Sequence, residues 1–146
     1  MTTTALARLR KATDGAAAME FALVAPLLIT MMLGVVQAGM WMGAYNSLRS
    51  SASDTGRYVT VQYQNTNRIS NSDIAIWARN HAITAPYSLD SSGVTTYVSD
   101  AATQSITNVT EKQLKIVYQM PTIMQFAGVN TFQISYTRSL FVKSGV

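Results

Sequence analysis

The chain has 146 residues, a formal net charge of +4, 48% hydrophobic residues and no cysteine. Its basic residues lie near the N-terminus or are scattered, with no basic stripe among aromatic residues, so the charge does not predict nucleic-acid binding. The roughly 100 residues outside the apolar segment can bury only a modest core, and no disulfide can stabilise it. We therefore expect one small domain that is marginally stable unless it packs on something.

Residues 1–15 form a basic leader that is rich in Thr and Ala. Arg8, Arg10 and Lys11 fit the positive-inside rule, which predicts a cytoplasmic N-terminus and an exported C-terminal part. Residues 21–48 carry no charge, and these 28 residues would make a helix of roughly 42 Å, longer than the roughly 30 Å hydrocarbon core of a bilayer. We predict one long helix over 16–62, of which about 21–45 is transmembrane.

Two patterns on this helix predict packing. Small residues at spacings of four allow close approach of another helix, and we assign helix packing to Gly34, Ala38, Gly39 and Gly43. Apolar residues recur every three or four positions beyond the membrane segment, at Trp41, Tyr45, Leu48, Ala52, Thr55 and Val59. We expect this stripe to cover the exported domain, whereas Asp54 and Arg57 face elsewhere with the spacing of a weak surface pair.

Residues 65–146 are predicted to form an exported α+β domain. Ser72 is a candidate N-cap for a short helix through Ala82, which Ala85-Pro86 would end. Alternating side chains predict strands over 94–98, 113–120 and 130–142, with a single helical turn after Pro121 through Phe126. The fold class is thus α+β, with a long N-terminal transmembrane helix and an antiparallel sheet packed on it.

Side chains that would carry enzyme chemistry are sparse. There is no glycine-rich phosphate loop and no Cys/His cluster, and the seven carboxylates are dispersed along the chain. The single histidine, His81, has no cysteine or second histidine as a partner and is interpreted as a surface or packing residue. We predict that the protein is not an enzyme and has no catalytic residue, cofactor or metal.

The start of the apolar segment carries the most informative motif. Gly15 precedes Ala16, and Glu20 is the fifth residue after that glycine, at the beginning of the uncharged run. This arrangement resembles the class III signal of type IV pilins. The sequence from Gly15 to Leu28 resembles the TadE-like family of the tight-adherence (Tad/Flp) pilus systems. Residues 53–58 resemble that family's later Ala-Arg-Glu-Gly-Ala-Arg stretch only loosely.

The resemblance implies a role and a set of partners. It implies a structural minor pilin or pseudopilin of the bacterial inner membrane, with a cytoplasmic N-terminus and a periplasmic domain. The pilus would serve adhesion, biofilm formation and surface attachment, and the resemblance leaves open whether this protein enters the extracellular fibre. A prepilin peptidase would cut between Gly15 and Ala16, and the partners would be other pilins and the Tad assembly platform. Glu20 would then pair with the new amino group of a neighbouring subunit.

Three alternatives remain open from the residues alone. A signal peptidase could cut after Val36-Gln37-Ala38 and release a soluble binding domain that begins at Gly39. The chain could instead be an uncleaved single-pass anchor that displays a periplasmic binding domain outside any pilus. Glu20 could also simply lie at the cytoplasmic interface, without a partner.

Overall fold

The computed structural model describes residues 13–65, 67–125, 128 and 130–143. Most of the predicted leader, residues 1–12, lies outside these ranges, as does Phe126 of the predicted helical turn. The described part contains two helices followed by three strands. The α+β class with one long N-terminal apolar helix is confirmed.

The first helix, α1, comprises Thr13–Gln64, 52 residues in all. It begins three residues earlier and ends two residues later than predicted, so the end of the leader is already helical. Pro26 lies inside it, and the Thr30 hydroxyl donates a hydrogen bond of 2.7 Å to the Pro26 carbonyl. By length and composition, α1 is able to cross a membrane.

The second helix, α2, comprises Asn71–Ile83. Its N-cap is Ser70 and not Ser72, because Ser70 has extended backbone angles and its hydroxyl accepts the Asp73 N–H at 3.1 Å. The Ser72 hydroxyl lies in the first turn and is hydrogen-bonded to that of Ser70 at 2.7 Å. The helix ends at Ile83, three residues before Pro86.

Three antiparallel strands form a sheet in the order β1-β2-β3. The strands are Val94–Asp100 (β1), Val109–Pro121 (β2) and Thr131–Lys143 (β3). β1 and β2 are longer than the sequence predicts, whereas β3 has the predicted length and lies one residue further along the chain. Gly93, immediately before β1, lies so close to β2 that a Cβ atom there would meet the Gln119 carbonyl oxygen at 2.5 Å. A side chain at this position would push the two strands apart.

Both helices pack on one face of the sheet. The core consists of alternate residues of the strands and one stripe from each helix, including Leu48, Ala52, Val59, Ile74, Ala78, Ala82, Leu114, Ile116, Met120, Ile134, Leu140 and Val142. The predicted burial of the Leu48-to-Val59 stripe against the sheet is confirmed. The opposite face carries mainly exposed polar side chains, such as Lys115, Gln133 and Thr137.

The domain buries residues of α1 only from Gln37 onward. Gln37 is 4% exposed, and its Oε1 accepts hydrogen bonds from the Thr122 hydroxyl at 3.2 Å and the Ile123 N–H at 3.0 Å. No residue from Gly15 to Val36 is buried. The predicted transmembrane segment of about 21–45 therefore overlaps the part of α1 that the domain covers.

Candidate processing and assembly site on the long helix

The predicted cleavage bond, between Gly15 and Ala16, lies in the first turn of α1. Both residues are exposed, and a Cβ atom built on Gly15 would meet nothing within 4 Å. The bond is thus reachable from outside the chain in the described part of α1.

Glu20 is exposed on the same side of α1 as Ala16, because residues four apart are neighbours on a helix surface. The two residues are separated by roughly 6 Å along the helix axis. Within the described part of the chain, the Glu20 side chain makes no hydrogen bond or ion pair. A carboxylate in this setting is free to accept from a cationic group outside its own domain.

The four small residues assigned to helix packing divide between two faces of α1. At about 100° per residue, Gly39 and Gly43 lie roughly 140–180° around the helix from Gly34. Gly34 and Ala38 line a groove of about 340 Å³ beneath the sheet, together with Trp41 and Phe132. Gly39 and Gly43 are exposed on the far side, where Cβ atoms would meet nothing within 4 Å. That face is open to another helix.

Gly56, further along α1, has the opposite environment. A Cβ atom there would meet the Arg138 Nε at 3.2 Å and the Leu140 Cδ2 at 3.3 Å, so α1 lies close to β3 at this glycine. One turn earlier, the Ser53 hydroxyl accepts a hydrogen bond of 2.9 Å from the Arg138 guanidinium. Residues 53–57 therefore fix α1 against the sheet.

A polar cluster that sequence analysis missed joins the two helices. The Asp54 carboxylate accepts hydrogen bonds from the Tyr87 hydroxyl at 2.6 Å and from the His81 Nε2 at 3.1 Å. The Tyr87 bond chiefly, and the His81 bond next, hold the pKa of Asp54 below its usual value. The same bond to Asp54 raises the pKa of Tyr87.

The partners of Asp54 differ from the predicted pairing with Arg57, because α2 brings a histidine 27 positions away to the same carboxylate. His81 is a packing residue, as interpreted, and its ring stacks on Trp77, which stacks in turn on Tyr58. No spacing in the sequence relates these groups. In the described ranges, no group of three or more His, Cys, Asp and Glu residues is placed to hold a metal ion.

The family comparison covers most of α1, including residues at which it contacts β3. Residues 15–57 match the family model of TadE-like proteins. The resemblance noted from the sequence is confirmed for this segment. Among curated proteins and solved structures, none matches the chain.

The TadE-like segment begins at Gly15 and ends at Arg57. It thus includes Glu20, the four small residues of α1 and the close approach at Gly56. It ends before α2 and the sheet, so the family match describes the long helix, whereas the α+β domain is characterised by its structure alone.

Proposed function

We propose that the protein is a minor pilin or pseudopilin that a prepilin peptidase cuts after Gly15 and that takes part in assembly of a Tad/Flp pilus. It would lie in the bacterial inner membrane with its N-terminus in the cytoplasm and its domain in the periplasm, and would contact other pilins and the assembly platform. Its role would be structural and not enzymatic. The observation that carries the proposal is the TadE-like match, which begins at Gly15. The matched segment contains an exposed apolar helix, and within the described residues its Glu20 side chain has no partner.

The charge of Glu20 supports a role in assembly. A carboxylate near a membrane core is costly, up to about 2.5–3.5 kcal/mol at the centre, so it is stabilised by a cationic partner. Cleavage after Gly15 would create an α-amino group on Ala16, whose ordinary pKa is about 7.7–8.0 and which is therefore largely cationic at neutral pH. In a bundle of parallel helices, Glu20 of one subunit can meet that amino group of the next.

The contacts of Gln37 disfavour release by a signal peptidase after Ala38. That cut would remove Gln37, whose side chain holds the segment after β2 through its bonds to Thr122 and Ile123. It would also leave the hydroxyl of Thr122, a side chain that is only 5% exposed, without the Gln37 oxygen to which it donates. Retention of the whole of α1 keeps these bonds.

The mature N-terminus tests the proposal. The full chain is expressed with and without a prepilin peptidase, extracted from membranes, and its N-terminal peptide is read by mass spectrometry. We expect Ala16 as the first residue, and we expect Gly15→Leu to stay uncut because the leucine side chain obstructs the close approach that glycine allows. Gly39→Leu is the matched control and should still be cut. A mature N-terminus at Gly39, or normal shortening of Gly15→Leu, would contradict the proposal.

A further inference from the structure

The end of the domain that lies nearest to residues 15–36 of α1 presents an exposed apolar patch. We define this patch as Trp41, Ile123, Met124 and Phe132. Trp41 is 43% exposed, Ile123 41% and Phe132 38%. Trp41, Met124 and Phe132 line the groove under the sheet, and Ile123 directly precedes Met124 in the chain. Surface hydrophobic residues that gather beside an apolar helix indicate a binding surface.

The patch is formed by two stretches of the chain, and neither stretch contains a charged residue near the patch. On α1 no charged residue occurs between Glu20 and Arg49, and between Lys115 and Arg138 the chain is also uncharged. The second stretch includes the end of β2, the connection that follows and the start of β3. Connections at the surface of water-soluble domains are usually polar, so this end of the domain differs from an ordinary solvent-exposed surface.

The position of the patch along α1 matches the edge of a bilayer. Residues 15–36, none of which is buried, would measure roughly 33 Å as a helix, against roughly 30 Å for a hydrocarbon core. The first buried residue of α1 is Gln37, and the Ile123 N–H donates to its side chain, so Ile123 lies at the same level of the helix. If α1 spans the membrane along residues 15–36, the patch begins where the hydrocarbon ends.

We propose that the patch docks on the lipid surface of the membrane that α1 crosses, with Trp41, Ile123 and Phe132 at the boundary between headgroups and acyl chains. Tryptophan is favoured in this layer because its ring is apolar and its N–H is polar. The adjoining strand ends have backbone groups that need water or headgroups, so they lie in the interface and not in the hydrocarbon. The bilayer then holds the domain at a defined height and orientation.

This inference rests on the membrane anchoring within the proposed function. Three probe positions distinguish anchoring by α1 from docking of the patch. Because the chain has no cysteine, Met32→Cys, Ile123→Cys and Val61→Cys can each carry one environment-sensitive fluorophore. All three native side chains are exposed, at 70%, 41% and 51% respectively. Met32 lies five residues before Gln37 on α1, and Val61 lies roughly 36 Å beyond it.

Each labelled full-length chain is reconstituted in phosphatidylcholine vesicles that contain lipids spin-labelled near the headgroup or deep in the acyl chain. We expect the probe at 123 to lose most of its emission to the shallow spin label, the probe at 32 to the deep one, and the probe at 61 only to aqueous iodide. Phe132→Cys serves as a second patch position should Ile123→Cys fold poorly. It should be quenched like the probe at 123.

Three outcomes would overturn the inference. If the probe at 32 is quenched by lipid while those at 123 and 132 behave like that at 61, the anchor stands and the docking does not. If no probe is quenched by lipid, both fail. If emission at 123 is shielded from water but changes on dilution of protein in lipid, a second copy covers the patch instead.

Discussion

The two parts of α1 differ in what surrounds them, although they form one continuous helix. In the inner part, residues 15–36, large apolar side chains such as Leu23 and Val35 are each 74% exposed. In the outer part, residues 37–64, Leu48 and Val59 are completely buried by the sheet and α2. A helix that is apolar all round has no single side to bury, whereas one apolar stripe is enough to seat a domain. The inner part therefore needs lipid or other chains around its apolar side chains, whereas the outer part packs its apolar stripe within its own fold.

A charge placed in the outer stripe should give the largest effect. Val59→Asp would bury an unpaired carboxylate in the core and should cost about 4 kcal/mol or more, a large share of the stability of a small domain. We expect the domain to become protease-sensitive in detergent-solubilised full-length protein. Val61→Asp is the matched control: it lies on the same turn, 51% exposed, and should remain resistant. Equal resistance of the two variants would contradict the packing of α1 on the sheet.

Removal of the charge from the inner part should affect assembly and not folding. Glu20→Gln keeps the side chain's size, so cleavage after Gly15 should persist, while crosslinking to pilus partners in the membrane should fall about tenfold or more, as expected for loss of one charge-assisted hydrogen bond. Domain stability should not change, because Glu20 lies outside the core. An unchanged pattern of crosslinked products at equal expression would show that Glu20 is only an interfacial residue.

Two glycines sharpen the comparison at the level of single side chains. Gly56→Leu should force α1 away from Arg138 and Leu140, and overpacking of this kind costs about 1–3 kcal/mol. A Cβ atom at Gly43 would meet nothing within 4 Å, so Gly43→Leu should keep or slightly raise stability, since leucine favours a helix over glycine. Thermal unfolding followed by near-UV circular dichroism measures both. The proposed helix-packing face predicts in addition that only Gly43→Leu weakens crosslinking to partners without lowering the Tm.

The polar link between the helices should give the smallest effect. Since the folded-state pKa of Asp54 is lowered, the carboxylate contributes stability above its unfolded pKa of about 3.9 and loses it as the pH falls through the folded value. Asp54 is 38% exposed, so we expect Asp54→Asn to lower stability at neutral pH by less than about 1 kcal/mol.

The Tm of wild type and Asp54→Asn should therefore converge in acid, as the pH falls below the unfolded pKa and through the lowered folded-state pKa of Asp54. Tyr87→Phe, which removes the chief cause of the lowered pKa, should reproduce most of the neutral-pH loss. A difference in Tm between wild type and Asp54→Asn that stays constant from neutral to acid pH would rule out the charged form of Asp54 as its source.

The local elements were predictable from the sequence, and some of their ends were not. Periodicity located α1, the buried stripe from Leu48 to Val59 and the inward faces of β2 and β3, because these patterns repeat along the chain. The N-cap moved from Ser72 to Ser70, since neighbouring serines offer the same hydroxyl and only the backbone angles select one. The candidate residues Gly15, Ala16 and Glu20 came from a local motif, which the structure shows exposed.

The sequence by itself determined that this protein has a long apolar helix with a carboxylate at its start and an amphipathic continuation, because both properties are local. Only the tertiary structure decided where the domain meets that helix, which carboxylate meets His81, and which small residues line the groove under the sheet. Gln37 and Ile123, or Asp54 and Tyr87, are far apart in the chain and come together through the way the sheet folds back on α1. Long-range contacts of this kind produce no repeating pattern in the sequence. Each one joins two single residues whose separation along the chain depends on the whole fold.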